Sequence, residues 1–480
     1  MKVGVTLFIK DEFEDIGWWI SYYLSIGVDT IIVFDDHSSD GTWEIIKAAS
    51  KKYDIRAFRT DINTSFFYHR QRDSYLEAIK MFGNEFDWLA SLDGDEYIFI
   101  NKFYNIKHFL ENFQHADAIA ISWCCYGSGQ NAFKPKHSPL RAYAHHSEKD
   151  LSDNDLIKSF IRPSAFKGNY IDPHKWDVDE SRYVDASGIP VVWKGSGMQP
   201  QWDNAKVNHY VCRSMEHFLE RLDKRSDMHK DTGFWDHFNR NKIHDSGPLK
   251  YEHATKIKNY EIFLEHWKEF FLSLDKKNED YMVEGKVCEI ISSGGMILRY
   301  DKKNKCAICI NDNDINIKED YPKILLCSPK NKQESAFLFR EDFHSIPFGE
   351  IYIHEANLTL PIIPINLEEK DSKYALKTNY GIYLSSNPHD GNVVLNRLYP
   401  DVWEYFRIDE LCDYKISGKI SKFLELYSSD TNDSNFIEKI KCIPDQSFDL
   451  VASLYSTLTR TEQKKISIIF PGIFPRWLQS

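Results

Sequence analysis

The chain has 480 residues, and 60 Lys+Arg against 72 Asp+Glu give a formal net charge of −12. That balance disfavours a nucleic-acid protein, since phosphate binding needs a surplus of cationic side chains. With 42% hydrophobic, 28% charged and 14% aromatic residues, the composition is that of a folded protein, and core filling is the default role of the aromatics.

Val3 to Ile9 reads as a buried first strand that runs directly into Asp11 and Glu12. Ile16, Trp19, Ile20, Tyr23 and Leu24 then repeat at helical spacing. Thr30 to Phe34 is a second apolar run, ending at the polar loop Asp35-Asp36-His37-Ser38-Ser39-Asp40-Gly41-Thr42. A helix near Trp43 to Ala49, a strand at Ile55 to Phe58 and a helix over Tyr68 to Phe82 follow. Trp88 to Leu92 is a fourth strand, ending abruptly at Asp93-Gly94-Asp95-Glu96. This alternation predicts a mostly parallel sheet covered by helices, with ligands at the carboxyl ends of the strands, where both acidic loops fall.

From Asn204 to Leu274 the pattern turns helical, and beyond Lys286 short β-like runs dominate. These include Met296 to Tyr300, Ala307 to Ile310, Ile324 to Cys327 and Phe337 to Phe339. The expected division is 1–275 (α/β), 286–410 (β-rich) and 411–480 (a small helical appendage).

The first strand is too short for a secretory signal, and no apolar run approaches the ~20 residues that span a bilayer. A soluble or peripheral protein is therefore expected. Nine cysteines at irregular spacing exclude a complete disulfide framework and point to the cytoplasm. Cys306 and Cys309 form a lone C-x-x-C in an extended stretch, where they point to opposite faces, which argues against a zinc site. Ile466 to Leu478 could touch a membrane surface, but Pro471 and Pro475 break any long amphipathic helix there, so packing on the body of the protein is expected.

Two carboxylates spaced as Asp93 and Asp95 around a glycine can converge on one hard divalent cation, and such a cation suits a diphosphate. Asp-Gly is also an ordinary turn. Position favours the first reading, because Asp35-Asp36 ends another strand of the same α/β unit and carboxylates accept from nucleobase N–H groups or ribose hydroxyls.

The ordered segments Phe8-Ile9-Lys10-Asp11-Glu12, Ile16-Gly17-Trp18-Trp19, Gly27-Val28-Asp29, Asp35 to Thr42, Arg70-Gln71-Arg72 and Trp88 to Ile98 resemble a glycosyltransferase of the GT-A fold. The similarity is greatest to the family 2-like group and to family 92. Lys158 to Pro163, His174, Asn208-His209-Tyr210, Arg213-Ser214 and Glu216-His217-Phe218 fit the same group, so about the first 230 residues are covered. The resemblance implies a Rossmann-like nucleotide-diphospho-sugar transferase domain. Asp93 and Asp95 would be D-x-D ligands of Mn²⁺ or Mg²⁺, with His209 as third ligand. The alternative for His209 is a hydrogen-bonded residue at a helix start. Asp11, Glu12, Asp36, Arg72 and Asp93 would form the nucleotide-sugar pocket. Lys158 and Arg162 are diphosphate or acceptor contacts or else surface charges, and His37 is a local hydrogen-bond partner. Candidates for the catalytic base are Glu96, which could instead order its loop, and the pair Asp172 and His174, which could be structural. The family 2 pattern of an acidic base beyond D-x-D has no clean copy here.

Gly381-Ile382-Tyr383-Leu384, Asp390-Gly391 and Trp403-Glu404-Tyr405-Phe406 resemble one repeat of a fascin-like β-trefoil, with Gly295 to Leu298 and Phe337 to Phe339 as a degenerate earlier copy. Trp403 and Phe406 are expected in its core.

The leading expectation is a metal-dependent glycosyltransferase. It would move a hexose from a nucleotide sugar, UDP-linked and with inversion, to a saccharide or lipid-linked saccharide acceptor in surface polysaccharide or glycolipid synthesis. The alternative is an inactive glycan-binding or scaffolding protein on the same fold. A sugar-phosphate nucleotidyltransferase would need a glycine-rich basic loop after the first strand, and none is present.

Overall fold

The computed structural model describes residues 1–135, 137–191, 199–224, 232–274, 284–304, 306–311, 319–330, 334–342, 362–378, 381–416, 418–428, 431–443 and 447–476. The chain forms two compact units, Met1–Trp267 and Lys268–Ser480.

In the first unit, β1 (Val3–Ile9), α1 (Phe13–Ser25), β2 (Thr30–Asp35), α2 (Thr42–Lys52), β3 (Ile55–Arg59), α3 (Phe67–Phe82) and β4 (Trp88–Leu92) alternate. Every residue of β1, β2 and β4 is buried, which is why these strands read as continuous apolar runs. The pairs β1–β2, β1–β4 and β2–β3 are parallel, so Ile9, Asp35, Arg59 and Leu92 end at one edge of the sheet.

Beyond β4 the sheet is mixed rather than mostly parallel. The elements are β5 (Glu96–Ile100), α4 (Ile106–Leu110), β6 (Ala118–Cys125), α5 (Pro139–Ala142), β7 (His145–His146), β8 (Ile157–Ile161), β9 (Tyr183–Asp185) and β10 (Ala205–His209). They are followed by α6 (Met215–Lys224), α7 (Thr232–Phe238), β11 (Ile243–His244) and α8 (Glu252–Leu272). The strand order is β3-β2-β1-β4-β8-β6-β10-β5, with β9 beside β6. β8 is antiparallel to both β4 and β6, and β5 is antiparallel to β10. The stretch from Asn204 expected to be helical thus opens with a strand. All five residues of β10 are buried, including Lys206, whose ammonium is 2.7 Å from Asp245 Oδ2. That charge hides the strand from a hydropathy reading.

Aromatic side chains of α1 fix the turn between β4 and β5. Trp19 Nε1 donates to the carbonyls of Asp93 and Glu96, both at 3.1 Å, and Tyr23 Oη donates to the Glu96 carbonyl at 2.9 Å. Trp19, Tyr22 and Tyr23 are completely buried, and each such side chain contributes about 1.5–3 kcal/mol of transfer free energy. A second cluster packs Tyr75 and Ala78 of α3 with Trp176 and Tyr183 around Phe8, Phe34 and Leu89.

The second unit contains β12 (Gly285–Ile291), β13 (Ile297–Asp301), β14 (Cys306–Ile310), β15 (Ile324–Pro329), β16 (Ser335–Arg340), β17 (Ile362–Lys370), β18 (Lys373–Thr378), β19 (Tyr383–Ser386), β20 (Val393–Arg397) and β21 (Tyr405–Glu410). Its helices are α9 (Gly418–Ser428), α10 (Phe436–Lys441), α11 (Phe448–Tyr455) and α12 (Arg460–Ile469). The antiparallel pairs β12–β15, β15–β16, β16–β17, β17–β18, β18–β21 and β21–β12 close into a ring. Hairpins β13–β14 and β19–β20 lie between successive ring strands. The hairpins meet at Gly391, whose amide carbonyl accepts from Cys309 N at 2.8 Å. A Cβ on Gly391 would lie 1.9 Å from the Cys309 carbonyl oxygen, and φ is +73°, so only glycine fits. Phe406 is completely buried, whereas Trp403 is 39% exposed, contrary to the expected core role. Near the C-terminus, Phe474 is buried against Tyr455, with ring centroids 4.5 Å apart.

Candidate functional site

The acidic loop after β2 is held by arginine. Asp36 is buried, and its two carboxylate oxygens accept from Arg70 Nε at 2.6 Å and Arg70 Nη2 at 2.8 Å, with Thr60 Oγ1 at 2.8 Å. Burial opposes ionisation of Asp36, but these hydrogen bonds prevail and hold its carboxyl below the usual range. Arg70 comes from the first turn of α3. Its neighbour Gln71 donates to Asp93 Oδ1 at 2.9 Å. Arg72, the residue expected in the pocket, instead donates to adjacent Asp73. Neighbouring helix positions face different ways, and the sequence alone did not say which of Arg70 and Arg72 faces Asp36.

His37 is the local partner expected of it, its Nε2 lying 3.0 Å from the Thr60 carbonyl. Asp11 accepts from Ser39 N at 2.9 Å, tying the loop after β1 to the loop after β2.

At the end of β4, the carboxylate of Asp93 is met from two sides. Gln71 and Tyr75 reach Oδ1, and Lys158 Nζ lies 2.9 Å from Oδ2. Lys158 is completely buried in β8 and also lies 3.3 Å from Glu96 Oε2, so it is neither a surface charge nor an exposed diphosphate contact. Burial works against its charge, but Asp93 and Glu96 prevail and raise its pKa. Burial likewise pushes the Glu96 carboxyl up to about 7, with Lys158 opposing. Glu96 has no exposed surface, and its Oε2 accepts the Asp93 backbone N–H at 2.9 Å. It orders the loop and cannot touch an acceptor, which removes it as the base. Arg162 lies elsewhere, stacked 4.2 Å above the Trp88 ring and donating to the Ala116 carbonyl.

Asp95 meets a different set of partners from Asp93. Its Oδ2 is 3.6 Å from His209 Nε2 and 3.7 Å from Arg221 Nη1. Burial opposes ionisation here too, but His209 and then the arginines hold the carboxyl far below its ordinary range. His209 ends strand β10 rather than starting a helix, and its ring packs 4.0 Å from that of Trp123. Its buried Nδ1 has no hydrogen-bond partner among the described residues. The facing atoms Asp95 Oδ2 and His209 Nε2 are the pair that would hold a divalent cation, beside the Arg221 guanidinium. Asp93 is held instead by Gln71, Tyr75 and Lys158.

Among the described residues, three side chains close enough to ligate one ion gather instead at Glu12, Asp15 and His217. Arg213 already fills that role. Its buried guanidinium donates to Glu12 and Asp15, lies 3.1 Å from His217 Nε2 and caps the Gly94 carbonyl at 3.0 Å. Glu12, expected in the nucleotide pocket, is thus part of the brace under the D-G-D turn.

On the other side of Lys158, His174 Nδ1 lies 2.9 Å from the Ile157 carbonyl. A carbonyl only accepts, so Nδ1 carries the proton and Nε2 is left basic. Burial and then Lys158 depress the His174 pKa, keeping the ring neutral. Asp172 Oδ1 accepts the backbone N–H groups of His174 and Lys175, both at 2.7 Å, so it orients the loop rather than acting on substrate.

Residues 4–192 match the model of glycosyltransferase family 92. That span holds the Asp36, Asp93, Lys158 and His174 groups and covers less than half of the chain. No curated protein matches the sequence. Among solved structures, Staphylococcus aureus TarS residues 1–349 is 14% identical, with 65% of this chain and 98% of that chain covered and a TM-score of 0.27. The same fragment in complex with UDP-GlcNAc is 14% identical, with coverage of 57% and 76% and a TM-score of 0.27. Cry35Ab1 is 14% identical over 28% of this chain and spans 38% of its own, with a TM-score of 0.19. With scores this low, the description of the fold rests on the strand pairings above. No described helix is long and apolar enough to cross a membrane.

Proposed function

We propose that the chain is a glycosyltransferase that moves a hexose from a nucleotide sugar, UDP-linked, to a hydroxyl of a saccharide acceptor in surface polysaccharide or glycolipid synthesis. The observation that carries this reading is the convergence at one sheet edge of arginine-held Asp36 and the braced Asp93-Gly94-Asp95 turn, inside the span that matches family 92. Asp36, ionised and fixed, accepts from base or ribose donors, and Arg70 sets its orientation. His174 Nε2 takes the proton of the attacking hydroxyl. The new glycosidic bond forms as the bond from the anomeric carbon to the diphosphate breaks, and this single displacement inverts configuration. Mn²⁺ or Mg²⁺ at Asp95 and His209 would supply Lewis-acid stabilisation of the departing diphosphate.

Nucleoside diphosphate release should be measured with a panel of UDP- and GDP-hexoses in the presence of Mn²⁺. Release from a UDP-hexose supports the reading. No release from any donor, with no binding of UDP, favours the inactive glycan-binding alternative.

For the second unit, the reading is a β-trefoil. The closed ring β12-β15-β16-β17-β18-β21, with one hairpin between β12 and β15 and another between β18 and β21, supports it. The segment between β16 and β17, 343–361, lies outside the described residues.

A further inference from the structure

The loop from β3 to α3 exposes an unusual run of large apolar side chains. Ile62 is 72% exposed, Phe66 65%, Phe67 44% and Tyr68 47%. A soluble surface seldom gathers so many within seven residues unless something covers them. Phe67 is anchored edge-on against Phe8 of β1, with centroids 4.9 Å apart, which fixes the run relative to the end of that strand. Two residues further on, Arg70 and Gln71 grip Asp36 and Asp93.

The run also reaches toward the loop that carries the base. Tyr170, in that loop, packs against the core cluster that contains Phe8, the partner of Phe67, and burial and then the Tyr68 phenol hold its own phenol above the ordinary range. Ile171, next to Tyr170 and one residue before Asp172, is itself 47% exposed. The aromatics therefore lie beside the segments that carry Asp93 and His174, through Gln71 on one side and Tyr170 on the other.

We propose that Phe66 and Tyr68 are the stacking platform for the saccharide acceptor. This rests on the glycosyltransferase reading above and names how its second substrate is held. Pyranose rings present faces of polarised C–H bonds, which pack on the negative face of an aromatic ring. The chemistry of the run selects this occupant. Residues 61–69 contain Asp61 and no lysine or arginine, and the flanking Arg59, Arg70 and Arg72 are paired with Asp35, Asp36 and Asp73, so the patch offers little of the free cationic charge that draws peripheral proteins to anionic lipid. A nucleobase would occupy a single stacking place, and its polar edge is already answered by Asp36 and Arg70.

The test uses the full chain, labelled and applied with UDP to an array of neutral and acidic oligosaccharides, alongside UDP calorimetry. The double variant Phe66→Ala/Tyr68→Ala should lower oligosaccharide binding at least ~tenfold while UDP affinity stays within about twofold. Both sites are exposed, and an unchanged thermal midpoint confirms that the variant is folded. The proposal is overturned if oligosaccharide binding is unchanged in the variant, or if the wild type binds UDP but no oligosaccharide. It is also overturned if UDP affinity falls in parallel, which assigns the rings to the base. Failure of the wild type to bind UDP overturns the parent reading, and this one with it.

Discussion

Lys158 is completely buried, and its ammonium lies 2.9 Å from Asp93 Oδ2. The same nitrogen lies 3.3 Å from Glu96 Oε2, so one cation near the start of β8 faces both ends of the D-G-D-E turn. Removing it leaves buried Glu96 uncompensated and takes the cation from half-buried Asp93. Lys158→Met is expected to destabilise the first unit by about 3–5 kcal/mol. Urea denaturation measures this, and a midpoint equal to the wild type would show that the pair contributes nothing.

Arg70 and Arg72 make an internal control. Arg70→Ala takes both guanidinium hydrogen bonds from Asp36 and should weaken UDP binding by roughly tenfold or more, about 1.4 kcal/mol. Arg72→Ala loses only a contact to Asp73, with both side chains well exposed, and should leave UDP affinity within about twofold. Calorimetry on the two variants separates them, and equal losses would place Arg72 back in the pocket.

The pH dependence of turnover has a fixed sign. A His174 pKa held below its usual value keeps the ring neutral and able to accept a proton through pH 7. Activity should therefore fall only on the acidic side, at a pH below the ordinary histidine range. His174→Ala should lower kcat by about 10²–10⁴. Asp172→Asn, which keeps an oxygen able to accept from the loop backbone, should retain most of it. A kcat profile that keeps its acidic limb in His174→Ala would exclude this base.

Glu96 tests the brace from the other direction. Burial raises its carboxyl from an ordinary 4.5 to about 7. Its stabilising share is therefore fully present below pH 4.5 and is lost as pH rises toward 7. Glu96→Gln keeps an oxygen for the Asp93 N–H and should flatten that part of the stability profile. An unaltered profile from pH 4.5 to 7, measured by denaturation, would assign the dependence to another group.

What the sequence disclosed follows from how each element meets water. β1, β2 and β4 are buried throughout, so their apolar runs and the acidic residues at their ends were legible. β10 was not, because Lys206 interrupts it and is compensated by Asp245, which is distant in sequence. Lys158 was equally hidden, since a lysine inside a strand looks like a solvated charge until Asp93 and Glu96 are brought beside it. Arg213 could be picked out with its neighbours, but its grip on Glu12, Asp15 and Gly94 spans about two hundred residues and depends on the fold. Asp93 and Asp95 read as equivalent metal ligands, yet the turn sends one to Lys158 and the other to His209.

The most direct test of the account is calorimetric titration of UDP into the protein, with and without Mn²⁺, in the wild type and in Asp95→Asn. The account predicts UDP binding that Mn²⁺ strengthens in the wild type and no longer strengthens in Asp95→Asn. Absence of UDP binding under either condition would contradict it.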